Sequence, residues 1–373
     1  MHIPDGFLDA KTMVAASALS VAGLGRALWV LRTRMSPRKV PLMGLAAAFL
    51  FVAQMINFPV VGGTSGHLLG AVLAAVLLGP SEAILVMSVV LIAQAFLFAD
   101  GGVLALGANV FNMGIAAVLG GYFFYRVVAA AVRTDYGQLV GAAFGAWAST
   151  VLASICCTGE LAWSGTVAWS VGFPAMTGIH MLIGVGEALI TAIVLTAVYR
   201  TRPSLMFAKD REAAESSAGP FAGVLIYGGL ITLGLVLFVL PFASGWPDGL
   251  EKVAAAVGFD VKAVSAPLVS SPLAEYRVPG VGSLSAATSL AGITGAVLVF
   301  AVSFVLARAL HRKSGVKGRA FGSPLARGLN PGASAAEVDP RAKPGAPAGA
   351  GVRAKAPAPS AADSTGPRPG PRI

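Results

Sequence analysis

Nine long apolar runs leave this chain one class of structure. They lie at about residues 13 to 31, 40 to 58, 67 to 79, 83 to 99, 103 to 125, 138 to 158, 176 to 199, 220 to 242 and 283 to 307. A helix needs about 20 mostly apolar residues to cross the hydrocarbon core of a bilayer, and most of the runs reach that length. The third is short. The runs are continuous, whereas barrel strands would alternate in segments of about ten, so the expected fold is all-α and polytopic. With 56% hydrophobic and 12% charged residues, the chain has about half the charge of an ordinary soluble domain.

Basic residues favour cytoplasmic loops, and their positions give an orientation. Arg32, Arg34, Arg38 and Lys39 follow the first run, Arg126 and Arg133 the fifth, and Arg200, Arg202, Lys209 and Arg211 the seventh. The loops of the opposite side, 59 to 66, 100 to 102 and 159 to 175, contain no Lys or Arg. This alternation predicts nine spans, the N-terminus outside, the C-terminus in the cytoplasm, and a multi-pass protein of the cell membrane. The formal charge of +10 belongs mostly to the end of the chain, where residues 308 to 373 hold twelve Lys or Arg against three Asp or Glu. It therefore describes a tail and no nucleic-acid groove.

Four regions follow: residues 1 to 200 as a seven-helix domain, 201 to 219 as a cytoplasmic linker, 220 to 310 as a two-helix unit, and 311 to 373 as a disordered basic tail. The tail is rich in Ala, Gly and Pro and too poor in apolar bulk to offset ordering entropy. Cys156 and Cys157 are adjacent inside an apolar run, which suits packing and neither a disulfide framework nor a metal cage. The first residues lack the basic and apolar regions of a signal peptide, so Met1 is expected to be the mature N-terminus.

That beginning carries chemistry. A free amine on Met1, the main-chain nitrogen of His2 and its imidazole can close small fused chelate rings around one cation, the peptide nitrogen being deprotonated only by a strongly polarising ion such as Ni(II) or Cu(II). An imidazole suits the fourth equatorial position, and loop charges place His67, after Gly62-Gly63-Thr64-Ser65-Gly66, on the same side as Met1. The plainer reading is that His2 arises by chance and that His67 is an interfacial hydrogen-bonding residue. His180 and Glu187, seven apart, share one face of the seventh run with Gly184 between them. Intramembrane ionisable groups face a bundle interior or an aqueous cavity, which suits either supporting contacts to ligands or interhelical hydrogen bonds. Asn57, Gln54, Gln94, Asn109 and Asn112 are comparable loop anchors.

Met1-His2-Ile3-Pro4-Asp5-Gly6-Phe7-Leu8, Asn57-Phe58-Pro59-Val60, Gly62 with Thr64-Ser65-Gly66-His67-Leu68, Gly107-Ala108-Asn109-Val110-Phe111-Asn112-Met113 and His180 to Glu187 together resemble the CbiM/NikM family over residues 1 to about 200. These are the substrate-binding components of cobalt and nickel energy-coupling-factor importers. The resemblance implies Met1, His2 and His67 as ligands of Ni(II) or Co(II) in a near-planar arrangement, with Asn57, Ser65, Asn109, His180 and Glu187 as candidates for a surrounding shell. It also implies a transmembrane coupling (T) subunit and two cytoplasmic ATPase subunits as partners. No Gly-x-x-x-x-Gly-Lys-Ser/Thr motif stands in this chain, so ATP hydrolysis is expected elsewhere and the chain is not itself an enzyme.

Trp246-Pro247-Asp248-Gly249-Leu250-Glu251 resembles the Pro-Asp-Gly-Leu-Glu segment of the small N component, here fused. Asp248 and Glu251 can attract cations to the mouth of the site; an Asp-Gly turn with a helix cap is the plainer reading. Two rivals remain. Gly63-Thr64-Ser65-Gly66 with a later His180 matches a rhomboid-like intramembrane serine protease, which needs Ser65 and His180 within hydrogen-bond reach. An ion-coupled secondary carrier needs intramembrane carboxylates along a path, of which Glu187 is one. Nickel and cobalt are not distinguished by these ligand types.

Overall fold

A computed structural model describes residues 1–134, 136–202, 222–264 and 269–320, with side chains to residue 312. Seven helices in it are long and apolar enough to cross a membrane. They are α1 (Ala10–Arg34), α4 (Pro80–Phe98), α5 (Leu106–Ala131), α6 (Gly137–Trp163), α7 (Trp169–Thr201), α8 (Ala222–Phe242) and α10, which spans as Leu284–Arg312 and continues to Ala320. Helix α2 (Lys39–Met55) has 17 residues, the lower end of a spanning length. Two short helices complete the set, α3 (Ala71–Leu78) and α9 (Gly249–Val257). The chain is a multi-pass all-α membrane protein. The expected linker lies mostly outside the described residues. So does the expected tail beyond Ala320, while between 311 and 320 the chain is helical where disorder was expected.

Large apolar side chains such as Val14, Val21 and Trp29 on α1 and Leu189 and Ile193 on α7 are exposed, as a lipid-facing surface requires. Inside, small residues let helices approach closely. A Cβ on Gly145 of α6 would fall 2.6 Å from the Gly121 carbonyl oxygen of α5, and one on Gly295 of α10 would fall 2.2 Å from the Phe51 ring of α2. The second contact packs the two-helix region against the first 200 residues.

The third run is no continuous helix. Residues 58 to 66 form a two-stranded hairpin, β1 (Phe58–Val60) paired with β2 (Thr64–Gly66), its turn made by Gly62 and Gly63 at φ 94° and 72°. From His67 to Gly70 the backbone is irregular, with Gly70 in the left-handed region at φ 73°, and only Ala71–Leu78 is helical. The eight helical residues rise about 12 Å, less than half of a spanning length, so the segment enters the bundle as irregular backbone before it becomes helical. Irregular backbone at that depth survives only when its polar groups are satisfied within the protein. Glu187, fully buried on α7, does this: its carboxylate accepts the N–H groups of Leu69 at 2.6 Å and Gly70 at 2.8 Å. These are the orphan donors at the start of α3, where the helix dipole also favours a negative group.

Two helices relax into π geometry, at Gln94–Phe98 in α4 and Val110–Ala116 in α5. Such bulges mark functional places. Gln94 opens the first and Asn109 precedes the second, and both face the N-terminal segment described next.

Candidate metal centre

The first nine residues are pinned to the bundle at nearly every polar group. Asn109 brackets Ile3, its Oδ1 accepting the Ile3 N–H at 2.8 Å and its Nδ2 donating to the Ile3 carbonyl at 3.1 Å. That carbonyl also accepts the Gly102 N–H at 2.8 Å. The Asp5 carboxylate accepts three successive N–H groups, of Val103, Leu104 and Ala105, at 2.9 to 3.2 Å, and so caps the start of α5. Gly102 has to be glycine for this, since a Cβ there would fall 2.0 Å from Asp5 Oδ1. The Phe7 carbonyl accepts from Thr166 Oγ1, and Asp9 caps α1 through the Thr12 N–H at 2.9 Å. Residues far apart in sequence are thereby spent on fixing one short peptide.

At the tip of that peptide the Met1 amine lies 3.3 Å from His67 Nε2. The imidazoles of His2 and His67 stack with centroids 5.4 Å apart and an interplanar angle of 27°. The His2 side chain is 6% exposed, with Nε2 3.2 Å from Gln94 Oε1 and Nδ1 3.2 Å from Asp100 Oδ1. Burial disfavours its charged form and holds its pKa below the ordinary value, despite the raising influence of Asp100. A neutral imidazole is the form that ligates. His67 Nδ1 lies 3.3 Å from the Leu68 carbonyl.

The amine has a second partner that the charge pattern alone does not assign to it. Asp248 Oδ2, from the loop between α8 and α9, accepts from it in a direct ion pair. Burial is the largest influence and lowers the amine's pKa, but the charge and hydrogen bond of Asp248, with the fields of Asp100 and Glu251, together outweigh it and raise the value above the ordinary one. For Asp248 burial is the largest influence and works upward, but the amine's charge and hydrogen bond, with the Glu251 N–H and His67, together hold the carboxyl below its usual range. Asp248 is also the helix cap that its sequence suggests, because Oδ1 accepts the Glu251 N–H at 2.9 Å while Glu251 Oε2 accepts the Asp248 N–H at 2.9 Å.

The rest of the Pro-Asp-Gly-Leu-Glu segment fits the same place. The Ser65 N–H donates to the Pro247 carbonyl at 2.8 Å, extending the hairpin edge, and Ser65 Oγ donates to the Trp246 carbonyl at 2.7 Å. Gly249 lies against His180, and a Cβ there would fall 2.7 Å from the imidazole Cε1. Beneath the amine is a cavity of about 20 Å³, lined among others by Met1, Ser65, His67, Met113, His180 and Asp248. That is room for one water-sized occupant.

Met1, His2 and His67 are thus brought together, and Ser65, Asn109, His180 and Glu187 surround them in different ways. Ser65 anchors the second region, Asn109 holds the N-terminal peptide, and Glu187 holds the backbone just after His67. His180 borders the cavity with Nδ1 2.7 Å from the Met176 carbonyl. No hydrogen bond joins Ser65 to His180, the contact that a Ser/His dyad requires. Asn57 lies elsewhere: its carbonyl accepts the Ser244 N–H at 2.8 Å, and it lines a separate cavity of about 230 Å³. Among the described residues no three His, Cys, Asp or Glu side chains gather as a ligand set. The nitrogens available to an ion are therefore drawn partly from the main chain and the terminal amine. Asp100 and Tyr276 also belong to the surroundings; nothing in their local sequence distinguishes them from ordinary loop residues.

Comparison with known proteins places both regions in known families. Residues 2–205 match the family described as the CbiM cobalt uptake substrate-specific transmembrane region, and residues 222–312 match the PDGLE domain. A chain of Archaeoglobus fulgidus named as a fused nickel transport protein, NikMN, is 36% identical over 310 residues, covering 83% of this chain and 98% of that one. The fused nickel transport protein NikMN of Rhodobacter capsulatus is 30% identical over 361 residues, 84% of this chain and all of that one. The cobalt transport protein CbiM of Thermosediminibacter oceani is 31% identical over 204 residues, 52% of this chain and 82% of that one.

Proposed function

The chain belongs to the CbiM family of metal transport proteins, joined to a PDGLE domain, and from that premise we propose that it captures Ni(II) or Co(II) at the outer face for ATP-driven import. The ligands are the Met1 amine, the main-chain and imidazole nitrogens of His2, and His67 Nε2. One observation carries this reading: the amine and His67 Nε2 are 3.3 Å apart, beside the stacked His2 ring. Nitrogens about 2 Å from a cation and at right angles around it stand about 2.8 Å apart, so this pair meets the spacing of a square-planar site with a shift of about half an ångström.

In the ion-free state the protonated amine bridges Asp248 and His67. An incoming cation takes the place of that proton and of the proton on the His2 main-chain nitrogen, and Asp248 stays beside it as a counter-charge, as burial of a charge demands. The small cavity suits an ion and has no room for a peptide substrate. Fused relatives named for nickel favour that ion over cobalt. Release inward then depends on the T subunit and two ATPase subunits that the family resemblance implies.

The test uses the purified full chain and isothermal titration with each ion. Adding one residue ahead of Met1 removes the amine from its place, and His67→Ala removes the fourth nitrogen; each is expected to weaken Ni(II) binding at least about a hundredfold. Unchanged affinity in both would overturn the site. Uptake by cells lacking the partner ATPases would overturn the ATP-driven step and favour a secondary carrier.

A further inference from the structure

The two ring nitrogens of His2 have different work. The chelate closes only through Nδ1, because the peptide nitrogen, Cα, Cβ, Cγ and Nδ1 form a small ring with the ion, whereas Nε2 points away from the backbone. Asp100 Oδ1, 3.2 Å from Nδ1, therefore stands where the ion binds and gives way to it, while its other oxygen accepts the Tyr276 hydroxyl. With the ion on Nδ1, a neutral imidazole carries its proton on Nε2. That N–H belongs to a side chain only 6% exposed, and a buried donor needs an acceptor. Gln94 Oε1 lies 3.2 Å from it.

Gln94 is fully buried and opens the π stretch of α4. Its carbonyl accepts the N–H groups of Ala99, which stands at φ 56°, and of Asp100 at 3.1 Å. The main chain of Gln94 thus closes the turn that delivers Asp100 to one ring nitrogen, while its side chain meets the other. Gln94 Nε2 is buried and has no hydrogen-bond partner among the described residues, so the bond to His2 is the one that its side-chain amide makes. An apolar side chain of the same length would fill this space without burying an amide, which is costly where a bond goes unmade. The oxygen is what the position requires.

We propose that Gln94 is a positioning residue of the metal site: its Oε1 accepts the Nε2 proton of His2 and so fixes the tautomer and ring plane in which Nδ1 faces the ion. The inference rests on the metal site proposed above. Ligating histidines donate their other ring N–H to an outer-shell oxygen, which orients the ring and raises the basicity of the ligating nitrogen. An amide oxygen accepts and never donates, so it selects the ring form with its proton on Nε2. Because Gln94 lies on a membrane helix, it offers that oxygen from a rigid element.

The purified full chain carrying Gln94→Met or Gln94→Glu is titrated with Ni(II), and the visible d–d absorption of the bound ion is recorded. Methionine fills the volume of glutamine without an acceptor at that place. It is expected to raise the dissociation constant about 10- to 100-fold and to move the band to longer wavelength, because an imidazole without its hydrogen bond is a weaker base and gives a weaker ligand field. Glutamate returns an oxygen to the same place and is expected to restore both affinity and band. Gln94→Leu takes the place of the methionine variant if that does not purify. Wild-type affinity in Gln94→Met, or a glutamate variant as weak as the methionine one, would overturn the inference. So would an unmoved band in Gln94→Met even where affinity falls, since a loosened peptide lowers affinity without weakening the field of the ion that is bound. His67→Ala separates the two levels: binding lost there but intact in Gln94→Met sinks only the positioning role, whereas binding intact in His67→Ala sinks the site on which it rests.

Discussion

The charge on one nitrogen sets how this site responds to pH. The amine of Met1 sits between His67 Nε2 and the Asp248 carboxylate, and the carboxylate raises its pKa. A ligand amine must lose its proton, so affinity for a cation falls as pH drops through that raised value. Asp248→Asn removes the charge while burial, which lowers the pKa, stays. The pH midpoint of Ni(II) binding is therefore expected to move to lower pH in that variant. Titrations from about pH 6 to about pH 9, bracketing the reference amine value near 8, check the direction; a midpoint that rises or stays would show that Asp248 does not govern the amine.

Among the elements, the segment from β2 to α3 matters most, because it carries His67 and then enters the bundle as irregular backbone. Its first helical donors end on Glu187. Glu187→Leu leaves the Leu69 and Gly70 N–H groups buried without acceptors, at about 1 to 3 kcal/mol each. A loss of about 2 to 6 kcal/mol in stability is expected by unfolding in detergent, together with weaker Ni(II) binding, since His67 lies two residues before Leu69. Glu187→Gln keeps one acceptor oxygen and should fall between the two. The π stretches of α4 and α5 begin at or just after Gln94 and Asn109, the two side chains that contact the N-terminal peptide.

For the molecule as a whole, the two family regions share one interior. Phe51 of α2 meets Gly295 of α10, Phe7 meets Phe259 edge-on with centroids 5.2 Å apart, and the Val264 N–H donates to the Asp5 carbonyl at 2.9 Å. Contacts of this kind predict that a chain cut between residues 203 and 221 still assembles. The two fragments, co-expressed with a tag on one, are expected to co-purify in mild detergent. Fragments that separate would mean that the covalent connection, rather than packing, holds the PDGLE region on the site.

The sequence by itself determined the class and the chemistry at the tip. Long apolar runs can only be membrane helices, because a bilayer leaves backbone polar groups no other partner than the helix itself. Met1 and His2 are adjacent, so their chelating potential is local and readable, and sparse loop charges put His67 on their side. The third run was misread as a single helix, since an apolar stretch does not reveal that a carboxylate 117 residues away will accept its N–H groups. The placement of Asp248, Asp100 and Tyr276 was decided only by the tertiary structure. Asp248 reads locally as a helix cap, and it is one; its second oxygen meets the Met1 amine across a separation of 247 residues. Periodicity and capping rules describe neighbours along the chain, whereas the surroundings of the ion are assembled across the fold, where packing chooses the partners.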